Sequence, residues 1–188
     1  LLLMNIAGDL HYSTVYSHSN LFKKGDLIQK APTGDKLSIT MSGEAPGSTR
    51  SAKFDADGLS LGSIRLVDGG RVMNYYGNNR FGQYLGEIPT GNLRCMLADP
   101  GTAEPGDFQA GPCLEIVSMS GLQVDTFTDY IGGEIRLAYY CDGEKTIPVT
   151  GISITGSLKE PQSIRLFRFF RSLKVSSLKV MVSPPISR

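Results

Sequence analysis

Two histidines, three cysteines and a scatter of hydroxyls are the side chains that could do chemistry in this 188-residue chain. A zinc hydrolase needs two histidines about one helical turn apart and a carboxylate to polarise water. His11 and His18 stand seven apart, with no acid between them. On a helix that spacing puts both on one face but about 10 Å apart along the axis, too far to share an ion. The plain reading is a surface or capping histidine at each position. Cys95, Cys113 and Cys141 lie far apart without a Cys-x-x-Cys pair, so neither a zinc knuckle nor a redox couple is written here. Each reads as a small packed hydrophobe, and an odd count suits a reducing, cytoplasmic setting. A serine nucleophile would sit in a Gly-x-Ser-x-Gly elbow, which is absent; Ser118-Met119-Ser120-Gly121 reads as a loop with hydroxyls. The glycines at 69, 70, 132 and 133 lack the lysine of a phosphate cradle. The chain carries no catalytic constellation of its own.

The elements that would position these residues are mostly strands. Leu3, Ala7, Leu10 and Thr14 recur at helical spacing and predict one leading helix, stopped by Gly25-Asp26. Strand signals follow at Lys36–Met41, then a turn-rich Gly/Pro/Ser loop, then a hairpin around Asp68-Gly69-Gly70. The run "NNRFGQYLG" predicts one or two helical turns, capped by Asn78 or Asn79 and ended at Gly86. Later strands are expected in "LRCMLADPG", "CLEIVSMSG" and "LQVDTFTDYI", with a second hairpin around Asp142-Gly143. The expected class is α+β, predominantly antiparallel β, with one N-terminal helix and short helical turns. "IPVTGISITG" alternates like a half-buried strand yet carries Gly151 and Gly156. A bulge or corner in a curved sheet accounts for such glycines. A close pass of backbone against backbone or a peptide strand is the other reading, and it extends to Gly121.

Composition sets the outer limits. With 40 % hydrophobic residues the chain can bury a core, and a soluble globular domain is the default. No apolar run is long enough for a membrane span, and the opening "LLLMNIAGDL" is too short and lacks the basic flank of a secretion signal. It also lacks an initiator methionine, so a piece of a longer protein is expected. The net charge of +1 conceals an asymmetry: from Lys159 onward there are seven basic residues and one acid, leaving twelve basic and seventeen acidic before it. Residues 1–158 are read as the domain and 159–188 as a basic, atypical tail, truncated or frameshifted. Its Arg/Phe interleaving could serve a nucleic-acid or membrane-surface arm, but the helical period is lost after Arg171. A docked terminal helix is the blander alternative.

The run from Lys36 to Arg94 resembles the central block of the C-terminal domain of the TldD/PmbA family, the "modulator of DNA gyrase" or microcin-processing peptidases. The resemblance rests on an acidic D-x-x-G (Asp55-Ala56-Asp57-Gly58), a strand into an x-DG hairpin, a short helix, and Pro89-Thr90-Gly91-Asn92. A second block from Gly121 to Ser157 is similar to the family's G-x-Q-V-D segment, its hairpin and its closing P-V-x-G-x-x-I-x-G. Past Ser157 the resemblance stops. Active members hold zinc with His-Glu-x-x-x-His on a helix just before the first block and a late cysteine; that motif is absent here, and Cys141 sits in the hairpin instead.

What the resemblance implies is therefore the PmbA/TldE-like branch without the metal motif: no catalytic or metal-ligating residues in this chain, and zinc only in active members. The implied setting is a cytoplasmic metalloprotease complex acting on unfolded peptides, with a TldD-like catalytic subunit or a second copy as partner. Gly121, Leu122, Gln123, Val124 and Asp125 are the candidate peptide contacts, by strand addition. Pro89, Thr90, Gly91, Asn92, Gly151 and Gly156 are structural motif residues. A scaffold touching nucleic acid through the tail is the alternative, disfavoured by the acidic body. An active zinc peptidase whose ligands lie outside this chain is the other.

Overall fold

A computed structural model describes residues 2–104, 112–157 and 159, with the backbone of 178–180. The chain packs as two compact units, one built from the described residues up to Asp99 with Asp125–Asp129, the other from those of Pro100–Val124 and Tyr130–Gly156. The class is α+β with antiparallel sheets and short helices, as expected.

In the first unit, β1 (Ile39–Ser42), β2 (Ser63–Asp68), β3 (Arg71–Val72) and β4 (Cys95–Ala98) form a sheet in the order β3-β2-β1-β4. All its pairings are antiparallel, with a register shift between Ile39 and Thr40 where β1 meets β2. The β2–β3 turn is the expected two-residue one, Gly69 and Gly70 both taking positive φ (53° and 85°). That pair of dihedrals matches the right-handed twist of the flanking strands, and glycine adopts it without strain. The core collects Leu37, Ile39, Leu66, Val67 and Val72 with Ile6, Leu10, Tyr12 and Ile28, each at most 1 % exposed. Removing that much apolar surface from water is the main stabilising term of the unit.

The leading helix differs from expectation. Two helices, α1 (Leu2–Asp9) and α2 (Tyr12–Tyr16), replace one. His11 breaks the run in an extended conformation (φ −75°, ψ 140°), and its ring caps α2 by accepting the Ser13 N–H. The break is fixed from outside the segment: the Tyr12 N–H donates to the Tyr76 carbonyl at 2.7 Å, and the Tyr76 N–H to the Leu10 carbonyl at 3.2 Å. α3 (Asn79–Leu85) forms as read, with Asn78 accepting the Phe81 N–H and Gly86 closing it in the left-handed region.

The second unit is a sheet of β5 (Cys113–Asp125), β6 (Tyr130–Cys141), β7 (Thr146–Val149), β8 (Ile152–Gly156) and β9 (Leu178–Val180). "CLEIVSMSG" and "LQVDTFTDYI" are not separate strands: β5 runs unbroken through Gly121, which takes φ 58° inside the strand. β7 and β8 lie along the same edge of β6. Val149 faces Ala138 and Ile152 faces Ile135, so register is kept across Gly151 (φ 70°) without an inserted residue. Gly151 is a kink, not a bulge. The Asp142-Gly143 hairpin forms as expected, Asp142 accepting the N–H groups of Glu144 and Lys145. Leu114, Ile116, Ile135 and Ala138 make the small core, with Met119, Tyr140 and Ile154 against it. Within the tail, β9 pairs antiparallel with Leu114–Ile116, so this part of it continues the sheet. The Arg/Phe-rich run lies outside the described residues. Among the described residues, no helix is long and apolar enough to cross a membrane.

Candidate functional site

The two motifs of the first block meet at one carboxylate. Asp55 accepts the N–H of Asp57 (3.0 Å) and of Leu59 (2.9 Å) on Oδ1, closing the D-x-x-G loop on itself. Its Oδ2 reaches across to accept the Asn92 N–H at 3.0 Å. Partial desolvation pushes the Asp55 carboxyl up, but the Asn92, Leu59 and Asp57 N–H groups and the Arg94 charge outweigh it, and its pKa falls below the ordinary value. Gly91 takes φ 73°, and a Cβ there would run into Leu61 and come within 3.1 Å of Asp55 Oδ2. Thr90 Oγ1 accepts the Gly77 N–H at 3.0 Å, beside the Gly77–Gly91 bridge. Thr90, Gly91 and Asn92 thus tie the loop after α3 to two other segments; Pro89 is exposed.

His11 and Tyr12 back this junction. The Tyr12 hydroxyl donates to the Ile88 carbonyl at 2.8 Å, one residue before Pro89. His11 stacks edge-on against Tyr76 at 5.2 Å and keeps Nδ1 on Ser13, so its neutral ring carries the proton on Nε2. Burial lowers the His11 pKa. A ring fixed in this way is a helix cap. Among the described residues no group of three or more His, Cys, Asp or Glu is placed to hold a metal ion. The donor set among the described residues does not fit a catalytic zinc. Cys95 and Cys113 are buried and Cys141 is half-buried, and none of the three is in a disulfide with another described residue.

Beside the junction a concave cleft of about 400 Å³ is lined by Met4, Met41, Arg50, Tyr76, Leu93 and Arg94. Its floor is apolar and closed, Met41 and Leu93 being 3 % exposed, while both arginines are exposed. Burial pushes the Tyr76 phenol up to about 12, so it stays protonated. Arg50 rides on a loop stitched by the Ala52 N–H to the Gly43 carbonyl (2.8 Å) and by Ser51 Oγ to both the N–H and the carbonyl of Ala45. Arg94 precedes β4, whose Cys95 pairs with Ser42. Sequence reading missed this cleft because its residues come from α1, β1, two loops and the lead-in to β4, with no motif linking them.

The candidate peptide segment is Gly121–Asp125. Gly121, Leu122, Gln123 and Val124 occupy the second half of β5. β9 covers only Leu114–Ile116, and among the described residues no strand pairs with that edge of β5 beyond Ile116. Asp125 has another role: its carboxylate accepts the Phe127 N–H (2.9 Å) and the Thr128 hydroxyl (2.8 Å), capping the following turn. Close approach within the chain does not explain the glycines first singled out. A Cβ at Gly121 or Gly151 would meet nothing within 4 Å, and at Gly156 only an ordinary contact with Ile131. Gly121 and Gly151 serve positive φ instead. Close approach is found at Gly133, where a Cβ would come within 3.1 Å of Leu122 Cα.

The fold recurs in solved structures. A protein named as a modulator of DNA gyrase from Bacteroides thetaiotaomicron matches with a TM-score of 0.72 at 17 % identity, over 86 % of this chain and 37 % of that one. One of the same name from Thermotoga maritima matches at 0.60 and 14 %, over 85 % and 37 %. TldE from Thermococcus kodakarensis matches at 0.67 and 14 %, over 83 % and 38 %. The chain thus spans little more than a third of the length of each, and the likeness defines the class as their shared fold. Residues 1–163 match the PmbA/TldA metallopeptidase C-terminal domain, and the chain belongs to that family. No curated protein matches it.

Proposed function

We propose that this chain is the C-terminal domain of a PmbA/TldE-like, non-catalytic subunit. It works in a cytoplasmic metalloprotease assembly on unfolded peptides, beside a TldD-like catalytic subunit or a second copy of itself. The observation that carries this reading is a family match over residues 1–163 in a chain whose two histidines stand seven apart. His11 is occupied in capping α2. In this reading the Gly121–Asp125 stretch adds a peptide strand to the edge of β5 that no strand among the described residues covers, where main-chain hydrogen bonds supply affinity with little sequence preference.

The test is metal content and peptide cleavage, measured on the purified chain alone and after mixing with a TldD-like subunit. Zinc far below one ion per chain and no cleavage alone, with a stable complex on mixing, is the expected result. One retained zinc per chain together with cleavage of an unfolded peptide would overturn it.

A further inference from the structure

We propose that the arginine-rimmed cleft of the first unit binds the free C-terminal carboxylate of a peptide whose last side chain is apolar. That the carboxylate belongs to a peptide rests on the function proposed above; the carboxylate site itself stands on the cleft. Four other cations of the unit are engaged. Arg65 pairs with Asp99 at 2.8 Å, Lys24 with Glu87, Arg71 donates to the Gly25 carbonyl at 2.6 Å, and Arg80 stacks near Phe81 and Tyr84. Among the described residues neither Arg50 nor Arg94 has an ion-pair partner within 4 Å, and the two line one cleft. Asp55 feels the Arg94 charge, but its two oxygens are taken by three backbone N–H groups.

Two guanidiniums over a low-dielectric floor focus positive potential where a carboxylate would sit, and each offers the planar fork that a carboxylate accepts. The floor selects what the carboxylate is attached to. Met4, 44 % exposed, presents the accessible apolar surface and can adapt to side chains of different shape, over Met41, Leu93 and Tyr76, which are at most 6 % exposed and close the site beneath it. A volume of about 400 Å³ lies in the range of small-ligand sites and suits a terminal residue better than a long segment. The hydrogen-bonded loop under Arg50 and the strand after Arg94 hold the backbone beneath both arginines in place before a ligand arrives.

The experiment is fluorescence anisotropy on the full chain with a labelled unstructured peptide ending in Phe, in two forms that differ only by a C-terminal carboxylate or amide. The free acid is expected to bind at least about tenfold more tightly than the amide, the effect of one charge-assisted pair. Arg50→Gln and Arg94→Gln should each bring the acid down toward the amide while leaving amide binding unchanged. Arg94→Lys should fall between, keeping charge but losing the fork. Circular dichroism of these exposed-site variants confirms folding. Equal binding of acid and amide, equal losses for both in the variants, or no binding of either peptide would each overturn the proposal. Competition separates other sources: inorganic phosphate displacing the peptide at equal concentration makes this a general anion site, and 3-phenylpropionate binding as tightly as the peptide makes the ligand a small acid. Either result rejects the peptide terminus. Zinc and cleavage do not enter the readout, so failure here leaves the subunit assignment standing, and failure of that assignment leaves this binding intact.

Discussion

Asp9 and Asp55 are both carboxylates wrapped by backbone N–H groups, yet their surroundings push them in opposite directions. Asp9 is 2 % exposed and accepts the Leu21 N–H at 2.7 Å and the Phe22 N–H at 2.9 Å. Burial raises its pKa and outweighs those two bonds and the Lys159 charge, whereas the less enclosed Asp55 is lowered. A raised carboxyl pKa makes the folded state bind the proton more tightly than the unfolded state. Its contribution is therefore full below the unfolded value of 3.8 and is lost as pH rises through the folded value. The stability of the parent chain relative to Asp9→Asn should decline as pH climbs from about 4 and then level off. Asp9→Ala should cost about 1–3 kcal/mol at neutral pH, because two buried donors lose their acceptor. Urea unfolding of the three proteins between pH 4 and 7 reads both effects; a parent-minus-Asn difference flat across that range would contradict the raised pKa. Neither aspartate's partnership was legible in the sequence. Asp55 reads as part of an acidic loop, and nothing local says that Asn92 closes the site.

Elements governed by adjacent residues were legible, and those governed by distant ones were not. Asn78 and Gly86 set the ends of α3 by contacts inside the segment, and Gly69-Gly70 and Asp142-Gly143 set their turns in the same way. The leading segment keeps helical periodicity through His11, and only pairing with Tyr76 breaks it. Gly121 carries the usual sign of a strand end, but its positive φ is absorbed within β5. α3 also matters beyond itself, since Gly82 packs against the Tyr12 ring, where a Cβ would stand 3.2 Å from Cε2. Asn78→Ala should cost about 1 kcal/mol through loss of the cap. Gly86→Ala should cost a similar amount, about 1 kcal/mol, because alanine is strained at φ 68° although the space around it is open. The two changes sit at opposite ends of one helix without shared partners, so thermal melts of the single and double variants should show near-additive losses. A double variant no worse than either single would mean that α3 is held by packing and not by its ends.

At the scale of the whole molecule, charge bears on what the gyrase name borne by two structural neighbours could mean for this chain. Residues 1–158 carry twelve basic and seventeen acidic side chains, and the excess of positive charge is confined to the last thirty. Phosphate binding depends on concentrated cations that release counterions, and an acidic body works against it at every approach. The family was legible from the order of its loop motifs because those motifs are local turns. The tail was not, because its charge pattern alone does not show that Leu178–Val180 pair with β5. Part of the tail is thus held in a sheet instead of reaching outward as an arm. Full-length chain is accordingly expected to show no saturable retention of duplex DNA at about 0.15 M salt, where screening acts over about 8 Å. At lower salt only weak, sequence-independent retention should appear. Filter binding across a salt series decides the matter. If the tail's seven cations engaged phosphates, log K would fall with log salt at a slope of about −6, and persistence of binding at physiological ionic strength would restore the nucleic-acid reading over the peptide one.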